Sequence, residues 1–266
     1  MKAKKVVLAT ALVLFQLPVA ALELDKNLEF EAGDYKKLLI DAGAGSLRVT
    51  GDEGDTVRVR AHIRIDADSD EDAKAWMEET MKLGFSSSGS KITLDGHFDS
   101  GRRGNILSGL LDSLDNRVDS ATIDLVVTMP AGLDLDVDDG SGHTVISNIN
   151  GDLWVDDGSG DLEISAIGGN VEIDDGSGDL LLKDIGGNLE VDDGSGNLVI
   201  SGVRGAVEID DGSGNLEVSR VTGNVRIDDG SGDIVAKDLE QDLIIEDGGS
   251  GGLRTERIAG RIVNRD

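Results

Sequence analysis

The chain has 266 residues, of which 53 are acidic and 25 are basic, so its formal net charge is −28. A surface this acidic repels nucleic acids and anionic membranes, which excludes both as expected partners. The sequence contains no cysteine, which excludes a disulfide framework and a zinc–thiolate site. The same charge suits divalent cations, basic polymers or simple solubility.

Residues 1–21 have the pattern of a secretory signal peptide. Three lysines within the first five residues precede an apolar run over residues 6–17, and small residues then lead up to Ala21. The apolar run is short for a membrane-spanning helix, and the small residues after it form a cleavage signal. We therefore expect cleavage after Ala21, a location in the periplasm or at the cell surface, and no membrane insertion of the mature domain, residues 22–266.

Residues 22–65 contain short alternations of apolar and polar residues around glycines. Between Leu39 and Val49 the sequence reads as strand, glycine turn and strand, and the alternation resumes over residues 57–63 with basic residues on the other face. We interpret 22–65 as the first, degenerate coils of a repetitive β structure.

Residues 66–120 are predicted to be an insertion with helical content. Apolar residues at helical spacing, a capping serine at the start and a glycine after the end indicate one amphipathic helix over residues 69–83. Trp76 lies on its apolar face, and we interpret it as a packing residue and not as a ligand platform. A second short helix is predicted over residues 106–114.

Residues 121–247 repeat with a period of 18. The pair Asp-Asp recurs six times at this spacing, each time followed by Gly-Ser-Gly, and Glu246-Asp247 marks a seventh copy. Each repeat holds two short alternating segments separated by glycine turns, and such a short period is the signature of a solenoid. The predicted fold class is an all-β, single-stranded parallel β-solenoid with 18-residue rungs, two strands per rung and right-handed connections.

Five columns of aliphatic residues are predicted to fill the solenoid. In the rung 170–187 they are represented by Val171, Ile173, Leu180, Leu182 and Ile185. After the regular repeats, an extra glycine breaks the register, and residues 248–266 are rich in arginine. This last segment is predicted to form a final rung that caps the stack.

The order of these elements resembles a known bacterial family. A signal peptide, the glycine-rich segment 41–46, a helix, the strand that ends in segment 127–132 and the Gly-Ser-Gly rungs are similar to the putative-adhesin β-solenoid family of toastrack domains. The resemblance covers nearly all of the mature chain. It implies an exported, non-enzymatic envelope protein, and it does not account for an Asp-Asp pair in every rung.

The Asp-Asp pairs are the leading candidate for a chemical site. Equivalent residues of a parallel solenoid stack about 4.8 Å apart, so each pair should generate two neighbouring columns of carboxylates. Hard oxygen ligands at this density suit Ca²⁺, although aspartate is also a common turn residue, and both interpretations stay open. No other cofactor is required. The candidate metal ligands are Asp138, Asp139, Asp156, Asp157, Asp174, Asp175, Asp192, Asp193, Asp210, Asp211, Asp228 and Asp229.

An apolar stripe is predicted on the outward face of the second strand of each rung. It is a hypothetical partner surface formed by Val145, Leu181, Val199 and Val235. The favoured alternative is that one of the two predicted helices lies over this stripe. The expected partner is a protein or glycan of the cell envelope.

The sequence is compatible with three functions. The favoured one is a non-catalytic, adhesin-like binding or scaffold module with an acidic repeat face. A calcium-stabilised structural module comes second, although the known calcium-binding nonapeptide β-roll is not matched, because inward leucines such as Leu180 occupy the ligand position. A carbohydrate-active β-helix enzyme comes third. Its basic candidates, such as Arg226, are single residues on short rungs, and no nucleophile elbow accompanies the three histidines.

Overall fold

The structure is a computed structural model, and it describes residues 21–99 and 117–265. The predicted signal peptide, apart from Ala21, and the predicted helix over residues 106–114 lie outside this part of the chain. Two eleven-stranded sheets face each other around one aliphatic core. The structure confirms the predicted fold class: an all-β solenoid with 18-residue rungs and one small helix.

The N-terminal part contains the only helix in the described residues. Its elements are β1 (Ala21–Glu31), β2 (Lys37–Ala44), β3 (Leu47–Asp52), β4 (Thr56–Ala67), α1 (Asp70–Thr80), β5 (Met81–Ser88), β6 (Lys91–Phe98) and β7 (Val118–Pro130).

The remaining strands alternate between the two sheets. They are β8 (Asp134–Ser141), β9 (Thr144–Ile149), β10 (Leu153–Asp157), β11 (Leu162–Ile167), β12 (Val171–Asp175), β13 (Leu180–Ile185), β14 (Leu189–Asp193), β15 (Leu198–Val203), β16 (Val207–Asp211), β17 (Leu216–Val221), β18 (Val225–Asp229), β19 (Ile234–Leu239), β20 (Leu243–Asp247), β21 (Leu253–Ile258) and β22 (Ile262–Asn264). Sheet A contains the odd-numbered strands of this series and sheet B the even-numbered ones.

The rungs pair in register at a spacing of 18 residues. Leu180 in β13 pairs with Leu198 in β15, and Asp174 in β12 pairs with Asp192 in β14. The five predicted inward columns are buried, as Leu182 shows with no exposed surface. The repeat in the sequence is therefore the repeat of the fold, and identical side chains stack on one another from rung to rung.

The prediction for residues 22–65 was only partly right. β2 and β3 do form one solenoid coil, because they pair in parallel with β8 and β9. β1, β4 and β7, however, form an antiparallel three-stranded extension at the end of sheet A. These strands have 11, 12 and 13 residues. A segment of that length without an internal turn cannot bend around the solenoid corner, so it pairs with its neighbour instead.

The helix is shorter than predicted. The side chain of Ser69 does cap it by accepting the Asp72 amide, but α1 ends at Thr80 and not at residue 83. Residues 81–88 pair antiparallel with β6, so the glycine expected to end the helix, Gly84, lies inside a strand. The hydrogen bonds between β5 and β6 stabilise residues 81–83 as a strand more than a further turn of α1 would stabilise them as a helix. Trp76 is buried against Phe98, with ring centroids 4.7 Å apart, which confirms its packing role.

The C-terminal segment forms the capping rung that the sequence predicts. β21 and β22 pair in parallel with β19 and β20. A one-residue bulge at Glu246 absorbs the change of register, and Arg265 donates to the Glu246 carboxylate at 2.7 Å. Arginines of this rung thus neutralise acidic side chains of the rung beneath it.

One backbone position in each rung has a left-handed conformation. Its φ lies between 54° and 78°, and the residues are Asn148, Ala166, Asp184, Gly202, Arg220, Asp238 and Arg257. A residue with a Cβ pays roughly 1 kcal/mol for this conformation, and glycine does not. We expect Ala166→Gly to raise the free energy of unfolding by about 0.5 kcal/mol after the entropic cost of glycine. Urea denaturation checks this, with Gly202→Ala as the reverse change. Equal or higher stability of Gly202→Ala would contradict the argument.

Candidate functional site

The two aspartates of each pair face opposite sides of their strand. In β12 the exposure alternates, so Ile173 and Asp175 are buried while Asp174 is exposed. The same alternation holds in the other rungs, which follows from the two-residue period of a strand. The outer column consists of Asp138, Asp156, Asp174, Asp192, Asp210 and Asp228, and the inner column of Asp139, Asp157, Asp175, Asp193, Asp211 and Asp229.

The inner column lies inside the solenoid at the corner before the Gly-Ser-Gly turn. Its six side chains are between 0% and 2% exposed. In four rungs the Oδ1 atom accepts the amide of the serine two residues later, at 3.2 Å from Ser177 to Asp175 and 3.0 Å from Ser195 to Asp193. The other oxygen of these carboxyl groups is buried without a hydrogen-bond partner. In these four rungs the turn therefore satisfies one of the two carboxyl oxygens, whereas both oxygens of Asp211 lack a partner.

Burial raises the pKa of the inner aspartates. Desolvation raises the pKa of Asp157 to about 7, and the neighbouring carboxylates Asp139 and Asp175 add to this increase. The pKa values of Asp175, Asp193 and Asp211 are raised to about 6, also chiefly by desolvation. Charge repulsion between rungs and burial thus act in the same direction, in favour of the protonated form.

The strands separate the twelve predicted calcium ligands into two columns on opposite faces of sheet B. In residues 21–99 and 117–265, no three histidine, aspartate or glutamate side chains have an arrangement that could hold a metal ion. The outer and inner members of each pair lie on opposite faces, so they do not approach one ion together. Cation binding by these aspartates stays a prediction.

A groove of about 980 Å³ runs along the outer face of sheet B, and we call it the Trp154 groove. Its floor is formed by the outward side chains of successive strands, Asp136, Trp154, Glu172, Glu190, Glu208 and Arg226. Its rim is formed by the residues that precede these strands, Asp134, Asp152, Asn170, Asn188, Ala206 and Asn224. Six rungs at about 4.8 Å per step give the groove a length of roughly 24 Å.

The charges of the Trp154 groove differ between its ends and its middle. At one end Lys37 donates to Asp136 at 2.8 Å, and at the other Arg226 lies 3.6 Å from Glu208 and 3.3 Å from Glu246. Glu172 and Glu190, in the middle, form no ion pair with any basic residue in the described ranges. The middle of the groove therefore combines two free carboxylates with the partly exposed indole of Trp154.

A ladder of side-chain carbonyls stabilises the rim of the groove. The Asn170 side chain accepts the Asn188 amide at 2.9 Å, and the Asn188 side chain accepts the Ala206 amide at 2.9 Å. Alanine offers no acceptor to the next residue, Asn224, and the ladder resumes where Asn224 accepts the Asp242 amide. The rim is thus fixed by side chain-to-backbone bonds between rungs, with one gap.

Ala206→Asn should close this gap. The new side chain would accept the Asn224 amide, and we expect the free energy of unfolding to rise by about 0.5–1 kcal/mol. Asn188→Ala, which opens a second gap one rung earlier, is the matched control and should lower it by a similar amount. Both values can be measured by urea denaturation, and a neutral or destabilising Ala206→Asn would show that the ladder contributes nothing.

The helix does not cover the predicted apolar stripe. α1 packs against β1, β4, β5 and β7, at the N-terminal end of the solenoid. Of the stripe residues, Val199 is 36% exposed, and Val145, Leu181 and Val235 are partly exposed. Helix α1 therefore does not lie over the stripe, because it packs on the strands near it in the chain. The other helix that could cover the stripe, predicted over residues 106–114, lies outside the described residues, so that alternative stays a prediction. The stripe stays a hypothetical partner surface.

The residues considered for catalysis lie apart. His62 bonds to Asp25, His97 lies 2.9 Å from Asp41, and His143 contacts the carbonyl of Asp161. In the described part of the chain these histidines belong to three separate local contacts. Arg226 lies in the Trp154 groove, where it pairs with glutamates.

The Trp154 groove was not found from the sequence. The signal was present, since Trp154 occupies the same repeat position as Glu172, Glu190 and Glu208. The acidic turns are the more regular pattern, because they repeat in every rung, whereas this column changes between aspartate, tryptophan, glutamate and arginine.

Two facing, mainly parallel sheets with antiparallel strands at one end and an arginine-rich rung at the other define a capped β-solenoid. The family model described as Toastrack DUF4097 matches residues 35–246. The chain belongs to this family, which confirms the resemblance. No helix in the described ranges is both long enough and apolar enough to cross a membrane.

Solved structures of other bacterial proteins are similar to this chain over most of its length. A putative cell adhesion protein from Clostridium sporogenes is 12% identical, with a TM-score of 0.39, over 92% of this chain and 99% of that one. A putative lipid binding protein from Parabacteroides distasonis is 16% identical, with a TM-score of 0.48, over 91% and 94%. A putative adhesin from Bacteroides fragilis is 12% identical, with a TM-score of 0.35, over 90% and 96%. The comparison with curated proteins gives no match.

Proposed function

We propose that this protein is an exported, non-catalytic binding or scaffold module of the cell envelope, adhesin-like in role, that holds its partner in the Trp154 groove. The observation that carries the proposal is the middle of that groove, where Glu172 and Glu190 stand free beside a partly exposed indole. The groove lies on paired strands whose rim is bonded from rung to rung, so it is preorganised for binding. The three dispersed histidines are consistent with a role without turnover.

The chemistry of the groove favours an extended cationic chain. Free carboxylates one rung apart can each pair with an ammonium group, and the indole face can take a further cation. A length of roughly 24 Å suits several residues of a linear chain rather than a single small molecule. Primary amines of this kind occur in lysine-rich peptide segments and in deacetylated amino-sugar polymers of cell walls. Polyanions are disfavoured by the net charge of −28.

Isothermal titration calorimetry at low salt tests this proposal with two probes, octalysine and a glucosamine hexamer, and with the N-acetylated hexamer as the neutral comparison. We expect saturable binding of at least one cationic probe, weakened about tenfold or more by Trp154→Ala and by the double change Glu172→Gln with Glu190→Gln. Glu163→Gln with Glu240→Gln, which removes two carboxylates outside the groove, is the matched control and should leave the affinity within about twofold.

Equal loss of affinity in the control and the groove variants would refute the groove as the site, because it would show that only net charge matters. Binding of neither cationic probe would refute the proposed partner chemistry. Preference for octalysine or for the glucosamine hexamer would identify which of the two sources of ammonium groups the groove accepts.

A further inference from the structure

The inner aspartate column has an unusual environment for six carboxyl groups. Each side chain is at most 2% exposed, and each has at least one oxygen atom without a hydrogen-bond partner in the described chain. The column is continuous, since Asp157 pairs in register with Asp139 on one side and Asp175 on the other. Buried carboxylates without partners are costly, so these oxygens need a proton, an ion or an ordered water as a partner.

In the first rung one carboxyl oxygen of Asp139 has a side-chain donor, although the other oxygen has no partner. Thr144, five residues after Asp139, donates its hydroxyl to the second carboxyl oxygen at 2.5 Å. In the later rungs the same position holds an aliphatic residue, such as Leu180 opposite Asp175 or Leu198 opposite Asp193. The later aspartates therefore face apolar side chains where the first faces a donor.

The charged groups around the column are all acidic. The outer aspartate follows the opposite face of the same strand, as Asp174 does beside Asp175, and the turn residues Asp161 and Asp179 act on Asp175 and Asp193. At the C-terminal end Asp247 acts on Asp229. From sheet A the facing residues are Thr144, Leu162, Leu180, Leu198, Leu216 and Ile234. No lysine, arginine or histidine in the described ranges pairs with an inner aspartate.

A metal ion fits this column poorly. Calcium takes six to eight oxygen ligands, whereas no three acidic or histidine side chains in the described part of the chain are arranged around one point. A proton needs only two oxygens. Protonation removes the charge of a buried carboxylate and gives it an O–H donor for a carboxyl oxygen of the neighbouring rung.

We propose that the inner aspartate column is a proton-binding ladder, in which neighbouring buried carboxyl groups share protons taken from solvent and thereby stabilise the solenoid in mildly acidic surroundings. The proposal stands independently of the Trp154 groove. It assigns to the second aspartate of each pair a role that the first, exposed aspartate does not have.

The direction of the pH effect follows from the raised pKa values. Asp157 has a pKa of about 7 in the folded protein, and Asp175, Asp193 and Asp211 of about 6, against about 3.9 in an unfolded chain. Between pH 4 and pH 7 the folded state therefore binds more protons than the unfolded state. The stabilisation that results from proton binding is complete below pH 4 and is lost as the pH rises through 6 and 7. Carboxyl groups with lowered pKa values, such as Asp238 and Asp242, act oppositely below pH 4.

Thermal unfolding in chelator at pH 5 and at pH 8 tests the ladder. We expect the wild-type Tm to be higher at pH 5 by at least about 5 °C. Asp193→Asn keeps the acceptor for the Ser195 amide and cannot ionise, so it should raise the Tm at pH 8 and reduce the difference between the two pH values. Asp192→Asn, its exposed neighbour, is the matched control and should leave the difference unchanged.

A second measurement on the wild-type protein holds even if Asp193→Asn does not fold. Refolding from urea at pH 6.5 in an unbuffered solution should take up protons, and release of protons or no exchange would overturn the proposal. A wild-type Tm that is equal or higher at pH 8 would overturn it too. So would a calcium-specific rise in Tm at pH 8, beyond that given by magnesium at matched ionic strength, because the column would then be a cation site.

Discussion

Gly196→Ala is expected to lower the free energy of unfolding by more than about 3 kcal/mol. Gly196 lies in a Gly-Ser-Gly turn with φ of 151°, a conformation that side chains rarely adopt. A Cβ at this position would lie 1.6 Å from the carbonyl oxygen of Gly178 on the neighbouring rung. That carbonyl belongs to a backbone fixed between two rungs, so it cannot move without breaking the stack. Urea denaturation followed by circular dichroism measures the loss.

The matched control for this substitution is Gly84→Ala. Gly84 lies in β5, and a Cβ added there would meet nothing within 4 Å. Its stability should stay within about 0.5 kcal/mol of the wild type. A Gly196→Ala protein within about 1 kcal/mol of the wild type would contradict the close approach of successive turns.

Leu182→Ala should cost about 2–5 kcal/mol, and its neighbour Leu181→Ala less than about 1 kcal/mol. Leu182 has no exposed surface and stacks on Ile164 and Ile200 of the adjacent rungs. In this tight stack a removed side chain leaves a cavity, because the rungs above and below are held in place by their own hydrogen bonds. Leu181 points outward in the apolar stripe and leaves no cavity.

The same two variants examine the direction of the β13 side chains. Similar losses at both positions, measured by urea denaturation, would contradict the alternation on which the inner and outer aspartate columns depend. A small loss at Leu182 alone would indicate that the core relaxes around the missing side chain.

The regular part of the fold could be predicted because each rung repeats one local rule. Alternation places Val171 and Ile173 inward, glycine makes the corner, and Leu180 and Leu182 return to the core. Each rung then pairs with a neighbour that has the same pattern of inward and outward residues. The local pattern therefore also predicts the contacts between rungs. The family resemblance rests on this same turn chemistry.

The N-terminal cap could not be predicted in the same way. β1, β4 and β7 alternate like the solenoid strands, and alternation says nothing about whether the next strand is parallel or antiparallel. Helix α1 was found from its spacing and its cap at Ser69, but its end depends on the pairing of β5 with β6. Such long-range pairings leave only a weak trace in the sequence.

The inner aspartates show why the site was only half predictable. Period-two alternation after Ile173 and Asp174 already places Asp175 inside. The density of carboxylates and the turn preference of aspartate favoured the interpretation of both aspartates as turn residues or calcium ligands. The burial becomes reasonable once the serine amides of the turn and the stacking of identical groups are known, and both are consequences of the fold.

The paired aspartates divide into an exposed column and a buried column, and we propose that the buried column holds protons. The most direct test is an NMR titration of the assigned aspartate side-chain carboxyl carbons from pH 3 to pH 9. The structure leads us to expect a midpoint of about 7 for Asp157 and of about 6 for Asp175, Asp193 and Asp211. Midpoints near 3.9 for these four groups, the value of an aspartate in solvent, would contradict it.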